Sequence, residues 1–167
     1  MTKLFTIIVS AMLSLMVVVA DPDSGLTVDS RAHYETAISL IKKYETLHKA
    51  KDWPYIGYGH RVWPGDKYKR GVKLTETEAD ILLRKDFDKL CAMYRTYGAD
   101  SILLATLAYN LGHGAVNRSS VLKKLKAGNR DIRESYISYC KFNGRPHKGI
   151  RTRRIEEFDS LFQSVQQ

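Results

Sequence analysis

Residues 45–60, ETLHKAKDWPYIGYGH, interleave two carboxylates and two histidines with Trp53, Tyr55 and Tyr58. A carboxylic acid that gives up a proton, set near a carboxylate that stays charged, can cut an acetal, because the transition state resembles an oxocarbenium ion. Glu45 and Asp52 are the candidates for those two roles. By residue type alone the signal is weak, since most carboxylates belong to solvated edges. His60, flanked by Gly59, is the other candidate proton carrier, because an imidazole titrates near neutrality. No cysteine or histidine cluster has metal-ligand spacing, and neither a metal nor a cofactor is expected.

The elements around these residues can be read from periodicity and punctuation. Asp29 or Ser30 caps a helix over residues 31–46, with Ile38, Ile41 and Tyr44 at helical spacing, so Glu45 falls at its end. Pro54, Gly57, Gly59, Pro64 and Gly65 then forbid a long helix, and Tyr55, Ile56, Tyr58 and Val62 favour a small irregular hairpin. Thr75 to Glu78 form a capping box opening a helix to about Tyr94, whose apolar set is Ile81, Leu82, Phe87 and Leu90. Asp100 or Ser101 caps ILLATLAYNLG, apolar nearly all round and so central, which stops at Gly112-His113-Gly114. A further helix over VLKKLKA is capped near 117–119 and closed by Gly128, with Lys123, Lys124 and Lys126 on its solvated face. Residues 131–140 read as helix, 143–149 as loop, and a last helix runs from Ile150 or Arg151 to Phe162 with Ile155, Phe158 and Leu161 inward. The fold class expected is α+β, mostly α, in two lobes: a helix plus short hairpin over 31–72 and a larger helical lobe over 73–167, after a linker at 21–30.

Several blocks in this order resemble one known family. IKKYE, the following Asp and YIGYGH are similar to the first lobe of the phage-type lysozymes, glycoside hydrolase family 24. TETEADILLRKDFDKL resembles that family's interlobe helix, ILLATLAYNLGHGA its core helix and glycine turn, SSVLKKLKAGN the next helix, and GIRTRRIEEFDSLF its Arg-rich closing segment. The resemblance implies a lysozyme-like two-lobed fold and a muramidase that cleaves peptidoglycan between N-acetylmuramic acid and N-acetylglucosamine. It makes Glu45 the general acid and Asp52 the second carboxylate. The stretch between Glu45 and Asp52 is shorter than in the family, and Tyr55 stands where the family has a Thr. Water positioning therefore falls to Asp52, Tyr55 or His48. His60 looks like the family's structural histidine, paired with Asp86. Asn110 matches an amide lining the cleft, Arg151 matches an arginine facing the acid, and Arg154 is expected on the surface or in packing. Tyr109, Tyr58 and Trp53 are expected against sugar rings or in the core. The altered hairpin also motivates an alternative, a lysozyme-fold binding or inhibitory module that grips peptidoglycan without turnover.

Lys and Arg number 27 against 18 Asp and Glu, a net charge of +9, so a polyanion is a natural partner. An anionic wall or membrane surface fits that charge; nucleic acid is not expected, since no nucleic-acid motif accompanies it. Lys3, the apolar run Leu4 to Ala20 and the polar DPDSG have the layout of a signal peptide cut after Ala20, or of an N-terminal anchor helix tethering the chain through residues 4–20. Export to the periplasm or beyond is expected, and the chain as a monomer. An oxidising compartment would permit Cys91 and Cys140 to pair, but buried free thiols are an equal reading.

Overall fold

The computed structural model describes residues 28–163; the leader and residues 21–27 of the expected linker lie outside them. Helix α1 runs Val28–Glu45, so 28–30 are helix rather than linker. Its buried face is Ala37, Ile38, Leu40 and Ile41, and it ends where Thr46 turns to a left-handed φ of 53°. These four apolar side chains join the core of the helical lobe. Sequence reading grouped α1 with the hairpin, but strands of two residues each offer no surface broad enough to bury such a face.

The small lobe comprises a single 3-10 turn, Ala50–Asp52, and strands β1, Tyr55–Ile56, and β2, His60–Arg61, paired antiparallel with Ile56 opposite His60. Helix α2, Glu76–Tyr94, opens on the expected capping box: Thr75 Oγ1 accepts from Glu78 N–H at 3.2 Å and Glu78 Oε2 from Thr75 N–H at 2.8 Å. Its apolar face is Ala79, Leu82, Leu83 and Phe87. Ile81, expected inward, is 64% exposed, because one step along a helix rotates by about 100° and Leu82 takes the core position. Arg84 clamps α2 to α1 through both oxygens of Glu35, at 2.7 and 2.8 Å, and is held on its own helix by Asp80 at 2.8 Å.

Helix α3, Ser101–Leu111, is the buried centre, with every residue from Ile102 to Ala108 out of solvent. Thr106, the one hydroxyl among them, donates to Ile102 O at 2.8 Å. Asp100 makes no side-chain cap. It is 4% exposed and takes both Arg130 donors instead, at 2.6 and 2.9 Å, since a buried carboxylate costs less beside a guanidinium fork than without one. Helices α4, His113–Asn117, and α5, Ser120–Lys126, come next, the latter capped by Ser119. The helix expected over 131–140 shrinks to α6, Arg133–Ile137. The expected loop after it holds a second hairpin, β3 Lys141–Phe142 with β4 Arg145–Pro146. Asn143 and Gly144 both have positive φ, 48° and 79°, the geometry of a two-residue turn that Asn-Gly favours. Helix α7, Lys148–Leu161, closes the fold and packs on α1 and α6. Among the described residues no helix is long and apolar enough to cross a membrane, and Cys91 and Cys140 are free thiols.

Candidate active site

Glu45, the last residue of α1, is one-fifth exposed and lies where the hairpin, α3 and α7 converge. Its Oε1 accepts from Arg153 Nη1 at 2.6 Å and from Asn110 Nδ2 at 3.3 Å. Its Oε2 lies against Gly59, where a Cβ would sit 3.5 Å from that oxygen and 3.6 Å from Tyr109 Cε1. With φ at +99°, Gly59 brings bare backbone next to the carboxyl, a conformation side chains rarely adopt. Tyr109 ties the lobes by donating to Tyr58 O at 2.8 Å, and burial pushes its phenol well up. The Tyr58 ring lies under Lys42 Nζ, 5.3 Å from its centre.

The arginine facing the acid is Arg153, and not Arg151, which is exposed. Residues two apart on a helix point to different sides, so α7 can present only one of them to Glu45. Arg153 Nε donates to Glu157 Oε1 at 2.7 Å, and its guanidinium lies 5.3 Å from the Tyr44 ring centre. Glu157 is wholly buried; its Oε2 accepts from Arg154 Nη1 at 2.5 Å and Tyr136 OH at 2.9 Å. Arg154, also wholly buried rather than on the surface, donates to Tyr139 O at 3.0 Å and to Asn110 Oδ1. Because a guanidinium only donates, it fixes the Asn110 oxygen toward itself and thereby the amide NH2 toward Glu45. Glu45, Arg153, Glu157, Arg154 and Asn110 thus form a closed ring of hydrogen bonds, two charges of each sign. Burial alone would lower the Arg153 pKa, but Glu157 and Glu45 outweigh it and the net direction is up.

Asp52 ends the 3-10 turn. Its Oδ2 accepts from Lys49 N–H at 2.7 Å, and His48 Nδ1 is 3.6 Å away. The Lys49 bond is the main cause holding its carboxyl below the usual range. His48 is fastened by its N–H to Gly57 O at 2.8 Å, and its ring lies 5.9 Å from that of Tyr55, which is 42% exposed. Asp52, His48 and Tyr55 therefore gather on the hairpin, separate from the ring on the helical lobe. Trp53 is half-buried beside them.

His60 and Asp86 meet, Nδ1 to Oδ2 at 2.5 Å, and Lys89 reaches the other Asp86 oxygen at 3.0 Å. The Asp86 bond raises the His60 pKa against burial; burial pushes Asp86 up, but the bonds from His60 and Lys89 prevail and hold it low. This pair bolts β2 to α2. Beside Gly59 and Tyr109 opens a cavity of about 390 Å³, walled further by Arg61, Trp63, Met93 and His113. Among the described residues no group of three or more His, Cys, Asp or Glu could hold a metal ion.

Arg153, Arg154 and Glu157 went unread as site residues. Their signal was present, since Arg-Arg followed by Glu at three and four positions places ion-pair partners on one helix face.

The phage lysozyme family matches residues 42–157. An endolysin of Bacillus phage B103 is 32% identical over 138 residues, 74% of this chain but 51% of that protein, so the chain spans about half its length. An endolysin of Acyrthosiphon pisum secondary endosymbiont phage 1 is 30% identical over 152 residues, covering 78% of this chain and 97% of that one. Among solved structures, an endolysin from Escherichia coli O157:H7 phage FAHEc1 superposes with a TM-score of 0.63 at 26% identity, covering 77% of this chain and 92% of that one. The muramidase domain of SpmX from Asticaccaulis excentricus, at 23% identity, shares the fold, with a TM-score of 0.65 over 77% of this chain and 96% of that one. On the ring around Glu45, the paired hairpin and this match over most of its length, the chain belongs to the phage lysozyme family of glycoside hydrolases.

Proposed function

We propose that the chain is an exported muramidase, hydrolysing peptidoglycan between N-acetylmuramic acid and N-acetylglucosamine with Glu45 as general acid. The observation that carries this reading is the division of labour within the Glu45 carboxyl. Oε1 takes both donors of the ring, while Oε2 lies against the bare backbone of Gly59, a residue that itself walls the cavity beside Tyr109. A proton on Oε2 can pass to the glycosidic oxygen as the C1–O bond breaks, and the ring holds the other oxygen still.

Water completes the reaction at C1. Asp52, ionised and half-buried, is the charged carboxylate on the facing lobe, with His48 and Tyr55 to orient the attacking water. Export through residues 4–20, action as a monomer and attraction of the basic chain to an anionic wall or membrane surface belong to the same reading, supported by the apolar run and the +9 charge.

The test is incubation of residues 21–167 with purified peptidoglycan and mass analysis of the products. Muramyl reducing ends are expected; anhydro-muramyl ends would make it a lytic transglycosylase, and intact strands would refute hydrolysis. Fractionation of cells expressing the full chain tests export, with cytosolic retention the outcome against it.

A further inference from the structure

The cavity beside Gly59 and Tyr109 carries equipment that proton transfer does not require. Trp63 is 59% exposed and Met93 55%, and both line it. Large apolar side chains left open in a concave site mark a surface meant to be covered. Above Trp63 lies Arg61, its guanidinium carbon 4.4 Å from the ring centre. A guanidinium stacked on an aromatic face keeps its N–H donors in its own plane, available as a fork for a carboxylate.

Among the described residues no carboxylate occupies that fork. Asp66 and Asp86 share the cavity wall, but both are committed. Asp66 Oδ2 accepts from Trp63 N–H at 2.7 Å, and Asp86 is taken by His60 and Lys89. Arg61 has no ion-pair partner among the described residues; what sets it apart from the other unpaired arginines is its brace on Trp63 and its place in the cavity wall. An exposed guanidinium held on an indole, in the wall of the same cavity as Gly59, is prepared for an anion brought by the ligand.

We propose that Arg61, braced on Trp63, binds a carboxylate of the stem peptide attached to the muramyl residue, so that the cleft holds strands with free stem carboxylates more tightly than the same strands amidated. This rests on the muramidase reading, and its test is therefore a binding measurement independent of turnover. In the full chain carrying Glu45→Gln, dissociation constants are compared for soluble strands with free stem carboxylates and for the same strands with those carboxylates amidated. The free-carboxylate strands should bind about tenfold tighter, the size of one charge-assisted fork. Adding Arg61→Gln should remove most of that difference, and Arg61→Lys should restore part of it. Equal affinity of the two strand types, or an unchanged preference in Arg61→Gln, overturns the assignment. Failure of the unaltered chain to cut any strand counts against the muramidase reading instead, and leaves the affinity comparison decisive for Arg61.

Discussion

Arg153 and Glu157, four residues apart on α7, are joined at 2.7 Å, and the acid at the end of α1 hangs on the other side of the same guanidinium, at 2.6 Å. The Glu45 carboxyl is thus tied to a charge pair that lies inside the protein core.

Glu45→Gln should reduce release of reducing ends from peptidoglycan by roughly a hundredfold or more, the scale of a lost general acid, while the strands still bind. Product release and a binding assay on one preparation check both halves. Turnover near that of the unaltered chain would remove Glu45 from the chemistry.

Glu157→Gln should destabilise the fold by about 3–5 kcal/mol, because it strands two buried guanidinium groups without their shared counter-charge. Urea unfolding measures it. A loss within about 0.5 kcal/mol, the scale of a surface change, would mean that the ring contributes no more than an exposed contact.

Arg153→Lys should lower kcat about tenfold or more, since an ammonium cannot bridge Glu45 and Glu157 as a planar fork does. Arg151→Ala should leave both kcat and stability close to the starting values. The reverse ranking would return Arg151 to the acid's side.

The His60 and Asp86 pair sets a pH window for stability. His60 is raised above its ordinary 6.5, so its contribution is full below 6.5 and fades as pH climbs through the folded value. Asp86 is lowered from 3.8, so its contribution is full above 3.8 and fades as pH falls through its folded value. Melting temperature against pH should therefore be highest between about 4 and 6.5, and Asp86→Asn should flatten both shoulders. An identical profile in that variant would refute the linkage.

Burial pushes the Cys91 thiol up to about 12, and only the thiolate is the nucleophile. Alkylation of the native chain at pH 8 should leave Cys91 unmodified for hours, and urea should release it. Rapid native labelling at Cys91, located by peptide mapping, would contradict its burial.

Much of the site was legible because its cues are local. The end of α1 at Glu45 follows from helical spacing meeting a run of breakers, and the Thr75 box states its own helix start. The His60 and Asp86 pair came through resemblance, since nothing in 26 residues of separation announces it. Arg153 was missed because a position in a string says little about a helix face, where two residues turn the side chain by about 200°. The hairpin at Asn143-Gly144 was missed although its turn residues are favourable, because its strands are only two residues long and show no alternation. Asp100 looked like a cap and proved an ion-pair partner, a difference decided by Arg130, thirty residues away.

Because α1 is embedded in the helical core, Glu45 is carried by one jaw of the protein and Asp52 by the other. The spacing between them is then set by how the hairpin sits on the helical lobe, and Gly59, from the hairpin side, reaches across that boundary to Oε2 of Glu45. Any shift of the hairpin at the Tyr58–Tyr109 contact would therefore change both the gap to Asp52 and the wall that Gly59 sets against Glu45, while the Arg153 side of the carboxyl would keep its place.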